Sequence, residues 1–93
     1  MPGTNVALRV KISEDVLFQE LQGEAVLLNL KTGVYFGLDT TGTRMWQLMG
    51  QHPLLTEVVQ TMVQEYDVTK EQCAEDLLEL VRKMEDHGLL LVE

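Results

Sequence analysis

The chain has 93 residues, of which 45% are hydrophobic, so a single domain with one core is expected. At that length roughly 60–65% of the unfolded surface is buried, which leaves little material for a deep enclosed cleft. The formal net charge of -8 repels a phosphate backbone and argues against a nucleic-acid partner.

Along the chain, residues 1–13 are expected to form a flexible N-terminal segment, followed by one domain over 14–93. Val6, Leu8, Val10 and Ile12 alternate with other residues, which leaves a strand open there. Three β-prone runs follow: Val16 to Leu21, Glu24 to Leu30 and Val34 to Leu38. Gln22-Gly23 and Lys31-Thr32-Gly33 separate them, and short runs between Gly-bearing turns predict a β-meander. The period then changes. Asp39, Thr40 and Thr41 are N-cap candidates, and Met45, Trp46, Leu48 and Met49 recur at helical spacing. Gly50 to Pro53 stops that helix. Thr56 is expected to cap the second, which carries Val58, Val59, Met62, Val63 and Tyr66 on one side. Thr69-Lys70-Glu71-Gln72 fits a capping box, with Gln72 reaching back to the cap, and opens a third helix from about Lys70 to His87. Gly88 stops it, and Leu89 to Val92 is an apolar tail expected to pack or pair. The expected fold is α+β: a three-stranded antiparallel sheet followed by three helices, compatible with a winged helix-turn-helix-like arrangement.

Residues for catalysis or metal binding do not converge. Ser13 is the only serine and has no neighbouring histidine. Cys73 and His87 lie fourteen residues apart on one helix, roughly 21 Å, too far for a thiol–imidazole pair. Cys73 falls on the apolar stripe with Leu77, Leu80 and Met84 and reads as a core cysteine. One cysteine and two distant histidines give no zinc spacing, and the carboxylates show no EF-hand pattern. The glycines around Val34 to Gly42 lack the Gly-Lys-Ser/Thr ending of a phosphate loop. No cofactor, no metal and no enzymatic activity are expected. No Lys or Arg occurs from Met45 to Thr69, and acidic residues outnumber basic ones on the third helix, which disfavours a groove-reading role. A start without a basic, apolar signal, the lack of a spanning apolar run and a single cysteine predict a cytoplasmic location with no membrane partner.

Two features are suited to binding. In the run Val34-Tyr35-Phe36-Gly37-Leu38, Tyr35 and Phe36 point to opposite faces. If this strand is a sheet edge, its free N–H and C=O groups can pair with an extended peptide, and a proline at Phe36 is expected to abolish that pairing. On the third helix the apolar residues span an arc of about 160°, wide enough to serve both a core and a groove. Asp76, Leu80 and Lys83 border the arc on one flank; Leu78 and Glu85 border it on the other.

The stretch Gly23 to Asp39, reading Gly-Glu-Ala-Val-Leu-Leu-Asn-Leu-Lys-Thr-Gly-Val-Tyr-Phe-Gly-Leu-Asp, resembles the PqqD-like family. Gly42, Trp46, Asp76-Leu77, Leu80-Val81 and Gly88-Leu89-Leu90 extend the resemblance over about residues 14–92. It implies a winged-helix-like element that recognises the leader of a ribosomally made precursor peptide. Carried over, the leader adds as a strand beside Val34, Tyr35, Phe36 and Gly37 and lies against Asp76, Leu77, Leu80 and Lys83. The style of the motif is closest to the stand-alone recognition protein of lasso-peptide clusters. That implies a leader-cleaving cysteine protease and an ATP-dependent cyclase as partners. A peptide chaperone of pyrroloquinoline quinone assembly is the nearest rival, and an interaction domain for a folded protein is another.

Overall fold

The period-two and period-3.6 patterns of the sequence resolve into five strands and three helices in the computed structural model, which describes residues 6–93. In chain order these are β1 (Val10–Ile12), β2 (Val16–Leu21), β3 (Glu24–Asn29), β4 (Val34–Leu38), α1 (Thr40–Gln51), α2 (Leu55–Glu65), α3 (Lys70–Asp86) and β5 (Leu90–Val92). β2, β3 and β4 form an antiparallel meander with β3 in the centre. Gln22 and Gly23 both have positive φ, 56° and 83°, the backbone of a two-residue turn whose twist matches the flanking strands. Gly33, at φ 74°, supplies the same freedom before β4.

One face of the meander, carrying Ala25 and Leu27 of β3 and Leu38 of β4, is buried against the helices. The core is completed by Met45 and Leu48 of α1, Val58 and Met62 of α2, and Leu77 and Met84 of α3. Burying side chains of this size contributes about 1.5–3 kcal/mol each.

The helix starts differ in chemistry. Asp39 caps α1, its Oδ1 accepting from the N–H of Gly42 at 2.7 Å. Gly42 is confined there: a Cβ would meet Asp39 Oδ1 at 3.1 Å and Leu38 Cδ2 at 3.3 Å. Thr69 caps α3 through the N–H of Gln72 at 3.1 Å. The reciprocal half of the expected capping box is not made, because Gln72 Nε2 donates to Asp76 Oδ1 at 2.9 Å instead. Thr56 is not the cap of α2. Leu54 holds that position without a side-chain bond, and Thr56 lies one residue inside the helix with its hydroxyl donating to the carbonyl of Val6.

The N-terminal segment lies outside the described residues over 1–5, but its described part is strapped to the domain. Val10 is buried, and Val6, Leu8 and Ile12 pack against the core. β1 pairs antiparallel with β5, and the N–H groups of Val10 and Leu55 donate to Pro53 and Leu8 carbonyls at 2.9 Å. The alternation of apolar residues through 6–12 supplies the surface that holds it down.

A second clamp ties the sheet to the end of α3. The buried Asn29 donates from Nδ2 to the carbonyl of His87 at 2.8 Å, while its Oδ1 accepts from the N–H of Lys31 at 2.9 Å and of Thr32 at 3.3 Å. One side chain thus fixes the β3–β4 turn and the C-terminus of α3 together.

Candidate functional site

Among the described residues β4 pairs only with β3, so its outer side is a free edge. The ladder determines which groups face outward. A two-residue turn closes on a hydrogen-bonded pair, here Leu21 and Glu24, and such pairs alternate along an antiparallel ladder. The N–H of Leu30 donating to Asp15 keeps the same phase. Glu24, Val26 and Leu28 therefore bond to β2, and Ala25, Leu27 and Asn29 turn toward β4. Their partners are Leu38, Phe36 and Val34, whose backbone groups face inward. The N–H and C=O of Tyr35 and Gly37 face outward. The proline expected to act at Phe36 is thus misplaced: that N–H belongs to the domain's own ladder.

Beside the last residues of β4, the start of α1 and one flank of α3 enclose an open groove of about 360 Å³. Its lining is Asp39, Thr41, Gly42 and Met45 on one side and Asp76, Glu79, Leu80 and Lys83 on the other. The flank of α3 left open by the sequence is therefore the one bordered by Asp76, Leu80 and Lys83. Leu80 is half-buried and packs against the core, whereas Leu77 is fully buried and presents nothing to the groove. Of the expected edge residues, Val34 and Gly37 are exposed and Tyr35 retains 69% of its surface; Phe36, on the inner face, is half-buried.

Three carboxylates line the groove against one ammonium. Lys83 Nζ pairs with Glu79 Oε1 at 3.4 Å, an exposed contact of small worth. Among the described residues Asp39 and Asp76 accept only neutral donors, the N–H of Gly42 and the amide of Gln72. The groove is acidic over an apolar floor. Outside the residues that line the groove, Phe36, in the middle of β4, meets the ring of His87 edge-on at 5.1 Å. As groove residues, Asp39, Gly42 and Met45 were missed by sequence reasoning. The Leu-Asp-x-x-Gly run was the available signal for the first two, since a strand end leading into a cap must bring the helix N-terminus beside the strand.

A family model described as coenzyme PQQ synthesis protein D (PqqD) matches residues 24–90. The chain belongs to the PqqD family. Among solved structures, TbiB1 in complex with the TbiA(beta) leader peptide is 38% identical, with a TM-score of 0.81 over 86% of this chain and 93% of that one. A lasso peptide synthetase B1 complexed with its leader peptide superposes with a TM-score of 0.79 at 22% identity, over 89% and 98% of the two chains, a likeness of fold alone. No curated protein matches.

Elsewhere in this PqqD-family chain, chemistry is sparse. Cys73 is buried, and desolvation, then the charge of Asp76, push its thiol pKa up, which disfavours the nucleophilic thiolate. Among the described residues no cluster of histidine, cysteine and carboxylates could hold a metal ion, and no helix is long and apolar enough to cross a membrane. The outer face of the meander is apolar and uncovered: Leu17, Leu21, Val26 and Tyr35 are all exposed.

Proposed function

We propose that this protein is a non-catalytic recognition element that binds the leader of a ribosomally synthesised precursor of the lasso-peptide type, in the cytoplasm, and presents it to a leader-cleaving cysteine protease and an ATP-dependent cyclase. The observation that carries this is a free β4 edge that ends, at Asp39, in a groove walled by α3. An extended leader gains backbone hydrogen bonds from Tyr35 and Gly37 and sets alternate side chains into the groove. TbiB1, 38% identical, is known in complex with a leader peptide, which supports the assignment. Asp39 and Asp76 favour a leader with basic residues and speed its encounter with the groove.

The added strand would extend the meander to four strands. Its outer face then carries Leu17, Leu21, Val26 and Tyr35 next to the leader itself, and this exposed apolar face supports docking of an enzyme that must reach the leader. Holding both together raises effective concentration without new chemistry.

The test is fluorescence anisotropy of a labelled synthetic leader, taken from the precursor encoded beside the protein. Saturable binding that a scrambled peptide does not compete away is expected; its absence overturns the proposal. The family description favours a second pathway, pyrroloquinoline quinone assembly, in which the same edge would hold that precursor. Parallel titration with both precursors separates the two.

A further inference from the structure

We propose, resting on the leader-binding function above, that His87, one turn beyond the groove on α3, is a specificity-determining residue, whose Nε2 accepts a hydrogen bond from a neutral side-chain donor on the leader: a hydroxyl, a carboxamide or an indole N–H. The ring is held on two sides. Its Nδ1 lies 2.7 Å from the carbonyl of Lys83, and its face or edge meets Phe36 at 65° between planes. A carbonyl only accepts, so Nδ1 carries the hydrogen, and in the Nδ1–H tautomer Nε2 is a bare acceptor. Among the described residues nothing donates to it.

Capping of α3 does not account for this arrangement. The N–H of His87 serves the carbonyls of Lys83 and Met84, and its C=O takes the amide of Asn29. Backbone alone closes the helix end, and Nδ1 adds one bond to it. Neither use explains an exposed ring laid on the one half-buried aromatic of the pairing strand, one turn beyond the groove residue Lys83. An acceptor fixed in this way loses little freedom on binding, which is how a short peptide gains selectivity. Asp76 and His87 stand eleven residues apart on α3, about 16 Å, or about five residues of extended peptide. The donor is therefore expected about five leader positions from the residue that faces Asp76.

The experiment is a coupling measurement. A labelled synthetic leader and its single alanine variants are titrated with wild-type protein and with His87→Phe, which keeps an aromatic ring against Phe36 and removes both nitrogens. His87→Phe should weaken the leader about 3- to 10-fold. One leader alanine variant should lose as much against the wild type and nothing further against His87→Phe. Imidazole ¹⁵N spectra of the wild type test the same point without a substitution: leader should shift the Nε2 resonance and leave Nδ1 in place. Binding by His87→Phe within twofold of wild type, a loss uncoupled from every leader position, or an unmoved Nε2 resonance overturns the proposal and leaves the leader-binding function standing. Failure of the wild type to bind any leader overturns both.

Discussion

A proline scan of β4 tests the edge directly, because the ladder phase assigns opposite fates to adjacent residues. Gly37→Pro removes an outward N–H. No heavy atom lies within 4 Å of a Cβ built at Gly37, so a side chain there has open space at its base. Edge strands tolerate proline where the N–H faces solvent, so unfolding should change little. Binding should change much. Tyr35 and Gly37 offer up to four hydrogen bonds, each worth about 0.5–1.5 kcal/mol net. Proline removes one, leaves a leader carbonyl unpaired and fills space that a strand about 4.8 Å away must enter. A loss of about 2–3 kcal/mol, or about 30- to 150-fold in Kd, is expected by anisotropy. Phe36→Pro breaks an inward bond and the contact with His87, costing about 3 kcal/mol of stability. For a domain of this size that lowers Tm by about 12–24 °C. A folded Gly37→Pro that binds leader within twofold of wild type would refute strand addition at β4. A stable Phe36→Pro would refute the ladder phase.

Other substitutions separate core, clamp and groove. Leu77→Ala should cost about 2–5 kcal/mol in urea unfolding, because Leu77 is fully buried, while Leu80→Ala should leave stability within about 1.5 kcal/mol and weaken leader binding. Asn29→Ala deletes three hydrogen bonds and should cost about 2–4 kcal/mol by the same measurement. The Arg44 guanidinium grips both oxygens of Glu65, at 2.7 and 2.6 Å, and through that hydrogen bond holds its carboxyl below the ordinary glutamate range. Because the folded-state value is lowered, the stabilisation is present above the unfolded value and fades as pH falls through the folded one. Wild type should therefore exceed Glu65→Gln in stability at neutral pH, with the gap closing in acid. Cys73 should react slowly with a thiol reagent at mildly alkaline pH in the native protein and at once in denaturant, since burial raises its pKa.

The fold was legible because each level of the sequence agreed. Gln22-Gly23 and Gly33 punctuated the strands, Asp39 and Thr69 capped the helices that were expected there, and the helical stripes became the core. The errors were local competitions. The Gln72 side chain turned to the carboxylate four residues ahead, donating to it, rather than back to accept from the N–H of Thr69. Thr56 met a carbonyl from the N-terminal segment, a partner distant in sequence that no capping rule includes. The groove was half legible. A stripe can announce that α3 has more apolar surface than one face needs, but only packing decides that Leu77 is spent on the core and Leu80 is left at the rim. Which of two adjacent N–H groups faces outward depends on the register of a turn twelve or more residues upstream.

That division of α3 also explains how so short a chain carries a binding site at all. Its core consumes Cys73, Ala74, Leu77, Leu78, Val81 and Met84 from one helix. The large apolar residues left exposed, several of them on the outer face of the meander, lie outside the groove. The proposed site is assembled from what the fold leaves unsatisfied: two outward N–H and C=O pairs on β4, one half-buried leucine and the carboxylates at its rim. Such a surface cannot bind by burial alone. Most of its selectivity has to come from backbone pairing and a few fixed polar groups, and changing those should alter which peptide binds while the melting temperature stays nearly constant.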